Sequence, residues 1–424
     1  MSVEFILLLT GLLGLIALGV PIAFAVGTAV CIYALTVGFP PLSILAQQTV
    51  RGVDSFVLLA LPLFIWGGIL MEKGGATDGL MKLVIATLGR LPGGSAVASV
   101  VATTFFGALS GSAVAATVAV GQLMQPRLVQ QGYAPGFVVS MQACSGALGA
   151  VIPPGISMVA YGAISGTSIR DLFAGAVLPG LLAGFLLCLV AVLVSHRRGY
   201  KETLDVSDMA GPSRLLGEAM PALFMPIIVL GGVFLGIFTA TEAAAVACIY
   251  ALFIGIFIYR KLTPTVIWDS LVKATRDTAA ITIIIAVSSA FGWIIAAEQV
   301  PQAFASWITS VSADPLVILL LMSLLLFILG TFMETISIIV ILTPIFVPVA
   351  VSAGIDPLHF GVLMILNLAI GGVTPPLGVC LFAAARILHL DISQTFRELV
   401  FPLGALLLAF GLTMAIPELV TWVK

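Results

Sequence analysis

The chain has few of the residues on which soluble proteins and enzymes depend. Only 8% of its 424 residues are charged and 61% are hydrophobic, whereas about a quarter of a typical soluble domain is charged. Its three histidines and five cysteines are scattered and form none of the closely spaced pairs that metal sites use. It has no ATP-binding Walker motif, and its net charge of −2 gives no electrostatic basis for binding nucleic acid. These absences exclude a soluble fold and a nucleic-acid partner, and nothing predicts an enzyme or an organic cofactor.

In place of charge the sequence has long apolar runs. A helix that crosses a bilayer needs about 20 mostly apolar residues. Runs close to this length occur at 4–19, 21–38, 54–72, 171–195, 217–237, 239–258, 278–297 and 398–420. We therefore predict an all-α membrane protein that crosses the bilayer many times.

Two Pro-Pro pairs interrupt apolar segments at corresponding places in the two halves. Residues 149–154 read GAVIPP and residues 371–376 read GGVTPP, which places the pairs 222 positions apart. Proline removes a backbone donor, and glycine tolerates unwound backbone. In hydrocarbon such a break is tolerated only where it is buried in protein or lines a polar cavity. Matching breaks in two halves indicate the binding site of a secondary transporter.

Before each break, two short apolar segments meet at a polar or glycine-rich tip. The tips read GALSGS at 107–112 and GTFMET at 330–335. The motif GYAP at 132–135 also matches GIDP at 354–357, again 222 positions on, which indicates an internal duplication. We predict two re-entrant helical hairpins, 94–131 and 315–351, each followed by a broken helix, 134–166 and 357–389.

The basic residues predict how the chain is oriented in the membrane. If the N-terminus lies outside, 14 of the 17 lysines and arginines fall on or near the cytoplasmic side. The exceptions are Arg51, Arg170 and Lys424. This threading makes the two halves inverted repeats and puts both termini outside.

We expect an elevator-type arrangement, in which a transport domain moves past a static scaffold. The predicted scaffold spans are 1–72 and 215–261, joined to cytoplasmic arm helices at 73–93 and 262–277 and to a cytoplasmic loop at 196–214. The predicted transport repeats are 94–195 and 278–424. The arm segments are amphipathic, so they either lie along the interface and support the moving domain or are plain connecting helices.

Each tip and the break facing it supply oxygen atoms, which hard cations prefer. The candidate hydroxyls are those of Ser110, Ser112, Thr335 and Thr374. The candidate carbonyls belong to Gly107, Gly111, Gly149, Ala150, Gly330, Met333, Gly371 and Gly372. Half-helix N-termini in addition suit carboxylates. We predict two sodium ions, one in each repeat, with an anionic substrate between the tips.

Two charged residues near the breaks have open roles. Glu334 is an ionisable group at the depth of the second tip, where it is costly and is expected to be functional. It could influence a cation site, carry a proton or cap the helix that follows. Arg386 either attracts an anion that leaves towards the cytoplasm or extends to the membrane interface.

Two other classes of function are alternatives to a coupled transporter. An uncoupled channel would share the breaks. A membrane-embedded enzyme would need a cluster of reactive groups, which the dispersed histidines do not supply.

Several motifs together resemble the large membrane subunit of tripartite ATP-independent periplasmic (TRAP) transporters, within the ion transporter superfamily. They are LSGS at 109–112, IPPGI at 152–156, GG at 231–232, FTATEA at 238–243, GIDP at 354–357 and TPPLG at 374–378. The resemblance implies sodium sites where the tips meet the breaks. The sodium candidates are Gly107, Ser110, Ser112, Gly149, Gly155, Gly330, Met333, Gly371, Thr374 and Leu377. The substrate candidates are Ser110, Gly111, Pro154, Glu334, Thr335, Pro376 and Arg386. Gly155 departs from many relatives, which carry serine there.

The resemblance also implies a function and partners. It implies sodium-driven import of a small organic acid, such as a C4-dicarboxylate, a sialic acid or another sugar acid, across the bacterial inner membrane. A periplasmic binding protein would deliver the substrate, and a small four-helix membrane subunit would be a separate polypeptide. Both termini are then periplasmic, and membrane lipids surround the protein. The alternatives are a sodium/anion symporter of the same superfamily without a binding protein, and an uncoupled channel.

Overall fold

The computed structural model describes residues 3–89, 93–200, 212–312 and 314–424, and the regular structure in these ranges is helical throughout. Within them, seven helices are long and apolar enough to cross a membrane, and shorter apolar helices accompany them. The predicted all-α membrane fold is therefore confirmed.

The N-terminal region contains five helices, of which the third was not expected from the sequence. They are α1 (Val3–Ala17), α2 (Ile22–Val37), α3 (Leu42–Val53), α4 (Ala60–Lys73) and α5 (Ala76–Leu88). A 3-10 turn at Phe56–Leu59 leads into α4. Helix α5 lies within the predicted arm 73–93, and residues 90–92 of that arm are outside the described residues.

The first of the two repeats forms a helix pair, a broken helix and a long span. The elements are α6 (Gly94–Ser110), α7 (Ala113–Gln130), α8 (Pro135–Ala147), α9 (Ile156–Ser165) and α10 (Ile169–Arg198). Helices α6 and α7 pack on each other and meet at Gly111 and Ser112. Helices α8 and α9 are the two parts of one broken helix, separated at the first Pro-Pro pair.

The middle of the chain contains α11 (Pro212–Phe234), α12 (Ala240–Phe253), α13 (Pro264–Ala297) and α14 (Val300–Val311). Helix α11 begins inside the predicted loop 196–214, and residues 201–211 of that loop are outside the described residues. Helix α13 runs without interruption through the predicted boundary between an arm ending at 277 and a span starting at 278. Its 34 residues extend about 51 Å at 1.5 Å per residue. It is continuous because no proline or glycine lies between Pro264 and Gly292 to end it.

The second half repeats the arrangement of the first. It contains α15 (Pro315–Gly330), α16 (Thr335–Ser352), α17 (Pro357–Gly371), α18 (Val379–Ile387), α19 (Phe396–Ala415) and α20 (Glu418–Thr421). The pair α15–α16 corresponds to α6–α7, and the broken helix α17–α18 corresponds to α8–α9. A 3-10 turn at Ile392–Thr395 precedes α19.

Local sequence signals explain where these helices begin. The side chains of Asp314 and Asp356 accept hydrogen bonds from the N–H groups of Leu316 and Leu358, both at 2.8 Å. In each case proline follows the aspartate and occupies the first helical position, where its missing donor costs nothing.

Helix α12 begins with a reciprocal cap formed by Thr239 and Glu242. Thr239 accepts from the Glu242 N–H through its hydroxyl at 3.3 Å, and the Glu242 carboxylate accepts from the Thr239 N–H at 2.8 Å. This reciprocal pair is a capping box.

The two broken helices lie at the centre of the protein. Every residue of α8 after Pro135 and every residue of α17 after Pro357 is buried. The two repeats interlock around them, because α16 packs on α9, α18 packs on α7 and α8, and α19 packs on α10. Helices α3 and α4 pack on α13, and α12 packs on α4, in a second set of contacts.

Candidate functional site

The tip of the first helix pair touches the first broken helix through two glycines. Gly107, in the last turn of α6, lies against Gly149 just before the break. A Cβ atom on Gly107 would stand 2.5 Å from the Gly149 Cα atom, closer than real side chains come. Both positions therefore require glycine for the tip and the break to approach so closely.

Oxygen atoms gather around this contact. The Ser110 hydroxyl can donate either to the Ser112 carbonyl at 3.4 Å or to the Gly107 carbonyl at 3.5 Å, and it accepts from the Ser112 N–H at 3.4 Å. The Ser112 carbonyl also lies 3.0 Å from the position of a Cβ atom on Gly149. These oxygens come from helix ends and a hydroxyl, so the cluster is polar without carrying charge.

Pro154 and Gly155 border the same region from beyond the break. The Pro154 carbonyl lies 2.9 Å from the position that a Cβ atom on Gly111 would occupy. The first break therefore touches the first tip at a second point. Gly155 has no side chain oxygen, but the Ala150 carbonyl lies 3.0 Å from the position of its missing Cβ. Backbone oxygen is therefore available where a serine hydroxyl is absent.

The second repeat makes the same glycine contact. Gly330 ends α15, Gly371 ends α17, and a Cβ atom on Gly371 would stand 2.7 Å from the Gly330 carbonyl carbon. Gly330 lies 223 positions after Gly107 and Gly371 lies 222 positions after Gly149, in step with the sequence repeat. The structure thus brings tip and break together twice, with equivalent residues.

The second break is also hydrogen-bonded to its tip. The Leu377 N–H donates to the Thr331 carbonyl at 3.3 Å. The Thr374 hydroxyl donates to the Ile370 carbonyl at 2.8 Å. That bond uses the hydroxyl hydrogen and leaves oxygen lone pairs available to a further partner.

Glu334 caps the second helix of its pair. Its carboxylate accepts from the N–H groups of Ile336 at 2.9 Å and Ser337 at 3.1 Å, at the start of α16. Ser112 occupies the same place before α7, where its hydroxyl accepts from the Ala115 N–H at 3.4 Å. Of the roles considered for Glu334, the geometry matches the helix cap directly.

A cavity of about 100 Å³ lies between the two tips. Both tips and both broken helices contribute to its wall. Of the predicted site residues, it is lined by Gly111, Ser112, Ala150, Met333, Glu334, Thr335 and Gly372. Among the residues that the structure describes, Glu334 is the one Asp, Glu, Lys, Arg or His side chain in this wall.

Four helices begin at this cavity. The first residues of α7, α9, α16 and α18 all line it. Ser112 and Glu334 cap α7 and α16, whereas α9 and α18 follow Gly155 and Gly378 and receive no side-chain cap. Unpaired N–H groups at a helix start, together with the helix dipole, attract anions.

The remaining predicted residues lie outside this cavity wall. Gly107, Gly149, Pro154, Gly330, Gly371 and Leu377 take part in the contacts between tip and break. Ser110 belongs to the first tip, Gly155 to the first break and Thr374 to the second break. Pro376 belongs to the second break. Arg386 lies apart from all of these, exposed in the last turn of α18.

Sequence reasoning missed the residues that directly follow the breaks. Ile156, Ser157, Val379 and Cys380 line the cavity because they form the first turns of α9 and α18. Their position immediately after each Pro-Pro pair is the signal that could have identified them. In the described ranges no three His, Cys, Asp or Glu side chains come together as a candidate metal centre.

Two solved membrane transporters share this architecture. The YdaH transporter of Alcanivorax borkumensis has a similar fold, with a TM-score of 0.64 and 16% identity over 88% of this chain and 87% of that one. MtrF of Neisseria gonorrhoeae gives a TM-score of 0.60 and 13% identity, over 86% of this chain and 82% of that one. At such identities the likeness concerns the fold alone.

The family follows from the sequence comparison. The family model described as tripartite ATP-independent periplasmic transporter, DctM component, matches residues 9–419, and the chain belongs to this family. The family assignment predicted from the motifs is thereby confirmed. The chain is a multi-pass protein of a bacterial inner membrane, and it is a transporter permease rather than an enzyme.

The names of three similar proteins specify different substrates. The isethionate TRAP transporter permease protein DctMQ of Oleidesulfovibrio alaskensis is 40% identical over 93% of this chain, which spans 62% of that protein. The sialic acid TRAP transporter large permease protein SiaM of Vibrio cholerae is 36% identical, over 96% of this chain and 95% of that protein. The C4-dicarboxylate TRAP transporter large permease protein DctM of Pseudomonas aeruginosa is 37% identical, over 86% and 85%.

Proposed function

We propose that the chain imports a small organic acid together with sodium ions, as the large permease of a transporter whose substrate arrives on a periplasmic binding protein. The names of its relatives specify isethionate, sialic acid and C4-dicarboxylates. These compounds share an anionic acid group on a small polar body. The proposed substrate is therefore a small organic anion.

The observation that carries this proposal is the glycine contact between tip and break, made once in each repeat. Each contact gathers uncharged oxygens, which suit a hard monovalent cation. Gly107, Ser110 and Gly149 supply the first proposed sodium site, with Ser112 and Gly155 beside them. Gly330, Gly371 and Thr374 supply the second, with Met333 and the Leu377 carbonyl.

The anion is proposed to lie between the two sodium ions. The starts of α9 and α18 line the cavity between the tips without a side-chain cap, and the positive end of each helix dipole suits an acid group. At α18 the Cys380 N–H already donates to the Gly372 carbonyl at 2.9 Å, so the dipole rather than this N–H would attract the anion there. Two sodium ions nearby would offset the negative charge of Glu334 and of the substrate. This arrangement explains coupling, because the anion is held well only when the cations are present.

The proposed orientation is supported by a group of paired basic residues. Lys82 and Arg214 pair with Glu218 at 3.4 and 3.6 Å, and Lys261 pairs with Asp78. These contacts collect α5, the start of α11 and the segment before α13 at one end. By the positive-inside rule this end is cytoplasmic, and both termini are then periplasmic.

Transport is proposed to proceed by an elevator movement. The two interlocked repeats would move as one body past α1–α4, α11 and α12, and the small membrane subunit would pack against that static set. Phe64 of α4 and Phe173 of α10 meet across the proposed boundary, with ring centroids 6.2 Å apart. Phe346 and Phe360, on α16 and α17, meet inside the proposed moving body at 6.3 Å.

Sodium coupling is tested in proteoliposomes that contain this chain, its small subunit and the cognate binding protein. Labelled succinate, sialic acid and isethionate serve as probes, each added with an inward sodium gradient. Uptake of at least one probe should require sodium. Equal uptake with potassium in place of sodium on both sides would contradict coupling and favour a channel. Equal uptake without the binding protein would favour a stand-alone symporter.

The elevator is tested with two cysteine pairs in a background without the five native cysteines. A short thiol-specific cross-linker between positions 64 and 173 should stop uptake, because it ties the moving body to the static helices. The same cross-linker between positions 346 and 360 should leave most uptake intact. Full uptake with the first pair cross-linked would exclude the movement and favour local gating at the tips.

A further inference from the structure

A second and larger cavity adjoins the one between the tips. It has a volume of about 400 Å³ and lies between α4, α13 and the first tip. Four residues line both cavities: Ser112, Val114, Ile156 and Ile336. A solute that leaves the tips on this side therefore enters the second cavity directly.

The wall formed by α4 lies in close contact with the first tip. A Cβ atom on Gly68 would stand 2.9 Å from both the Cα atom and the carbonyl oxygen of Ser110. The side chains of Ile65 and Ile69 line the cavity around this contact, and Glu72 follows one turn later. The cavity thus extends from a candidate sodium site towards the basic end of the molecule.

The wall formed by α13 brings one cationic side chain into this space. Lys273 and Asp277 line the cavity one turn apart. Ser270, one turn earlier, is buried and accepts a hydrogen bond from Trp66 Nε1 of α4 at 3.1 Å. This bond fixes the rotation of α13, so the stripe that contains Lys273 faces α4 and the cavity.

Lys273 is free to bind a ligand. Among the described residues it is the one cationic side chain that lines either cavity, and it takes part in no ion pair there. Its neighbours in the wall, Glu72 and Asp277, are acidic and repel an organic anion, whereas Lys273 attracts one.

We propose that Lys273 binds the acid group of the substrate as it leaves the tips for the cytoplasm. This inference rests on the proposed import of an organic anion, since it names the first contact on the release route. A release contact must attract the anion out of the tips and yet let it go. Lys273 provides the attraction, and Glu72 and Asp277 limit how tightly the anion is held.

The inference is tested by removing and restoring the charge at this position. Lys273→Cys is made in the cysteine-free background and assembled with its small subunit and binding protein. Exchange of external labelled probe against unlabelled probe inside the vesicles is then measured. The internal concentration that gives half-maximal exchange should rise at least about tenfold, because a charge-assisted contact is lost. Modification with aminoethyl methanethiosulfonate, which restores an amine, should reverse most of this rise.

Arg276→Cys is the matched control. Arg276 lies on the same helix and is exposed, but it lines neither cavity. Its replacement should change the half-maximal concentration by less than about twofold. The uncharged methyl methanethiosulfonate should not rescue Lys273→Cys.

The possible failures are distinguishable. The proposed function fails if the unmodified protein shows no sodium-driven uptake of any probe. If that uptake is present but Lys273→Cys behaves like Arg276→Cys, the role of Lys273 is refuted. The role is also refuted if the amine-bearing and uncharged reagents rescue equally, because filling space rather than charge would then explain the effect.

Discussion

The two hairpin tips share one backbone design and differ in their chemistry. Each tip meets its broken helix through a pair of glycines, Gly107 with Gly149 and Gly330 with Gly371. The first tip is a two-residue turn between α6 and α7 with serine hydroxyls and no charge. The second is a four-residue turn between α15 and α16, and it places the Glu334 carboxylate at the cavity.

The comparison of the two tips distinguishes the features that both repeats share from the one that differs between them. Close backbone approach is kept, because bulk at Gly107 or Gly371 would push the tip off the break. The cap at the start of the second helix varies, since a hydroxyl and a carboxylate both satisfy free N–H groups. The resulting asymmetry gives the second half of the site a negative charge that the first half lacks.

The largest expected effect comes from breaking the shared glycine contact. Gly107→Ala and Gly371→Ala place a Cβ atom 2.5 Å and 2.7 Å from backbone atoms that cannot move aside easily. Each should reduce sodium-driven uptake more than about tenfold, with a cost of roughly 1–3 kcal/mol in stability from overpacking. Uptake in proteoliposomes and the midpoint of thermal unfolding measure the two effects.

Gly404→Ala in α19 is the matched control, because a Cβ atom there meets nothing within 4 Å. It should leave uptake and unfolding unchanged. If Gly107→Ala transports normally while Gly371→Ala does not, only the second contact matters for function and the two repeats are not equivalent.

These contacts also show how far the sequence alone leads. The helix pairs, the breaks and the second-tip cap follow from local signals: apolar length, Gly and Pro placement, and an acidic residue before a helix. Each tip could be assigned to the break of its own repeat, because tips and breaks recur along the chain at the same spacing. The contact of Gly68 with Ser110 joins residues 42 positions apart in different helices, and nothing local predicts it.

The continuity of α13 escaped prediction for a different reason. Its first half is amphipathic and its second half is apolar, which indicates two environments and predicts two separate helices. Helix propagation requires only that no residue interrupt the backbone hydrogen bonds, and none does so before Gly292. The position of Lys273 in a cavity depends on that continuity and on the rotation of α13, so the sequence did not indicate it.

The next largest effect concerns the hydroxyls at the two proposed sodium sites. Thr374→Val keeps the shape of the side chain and removes the oxygen, and Ser110→Ala removes its counterpart in the first repeat. Loss of one neutral ligand, worth roughly 1 kcal/mol, should raise the sodium concentration for half-maximal uptake about fivefold in each variant. The measurement is uptake at a series of sodium concentrations.

Thr395→Val is the control for removing a buried threonine hydroxyl away from the tips. That hydroxyl donates to the Ile392 carbonyl at 2.6 Å, as that of Thr374 donates to Ile370. The sodium dependence of uptake by the Thr395→Val variant should equal that of the unmodified protein. A normal sodium dependence in Thr374→Val would show that this hydroxyl does not bind sodium. Backbone carbonyls alone would then form the second site.

A smaller effect should distinguish the two caps. Glu334→Ala removes two hydrogen bonds of 2.9 and 3.1 Å and should lower stability by about 1 kcal/mol. Glu334→Gln keeps an acceptor oxygen and should recover part of this loss. Ser112→Ala removes one long bond of 3.4 Å and should cost less than Glu334→Ala. Thermal unfolding of the purified variants gives this ranking, and equal losses at the two caps would contradict it.

The smallest expected effect tests whether the first site lacks a ligand. Gly155 precedes α9 with φ at −103°, a conformation that serine adopts without strain. A Cβ atom there would lie 3.0 Å from the Ala150 carbonyl, so Gly155→Ser needs a shift of a few tenths of an ångström. If the added hydroxyl reaches the first sodium site, the half-maximal sodium concentration should fall by up to about threefold, less than a full ligand is worth. Gly155→Ala imposes the same crowding without the oxygen and should raise that concentration slightly. Identical behaviour of the two variants would mean that the hydroxyl does not reach the ion, and that backbone oxygen already completes the site on this side.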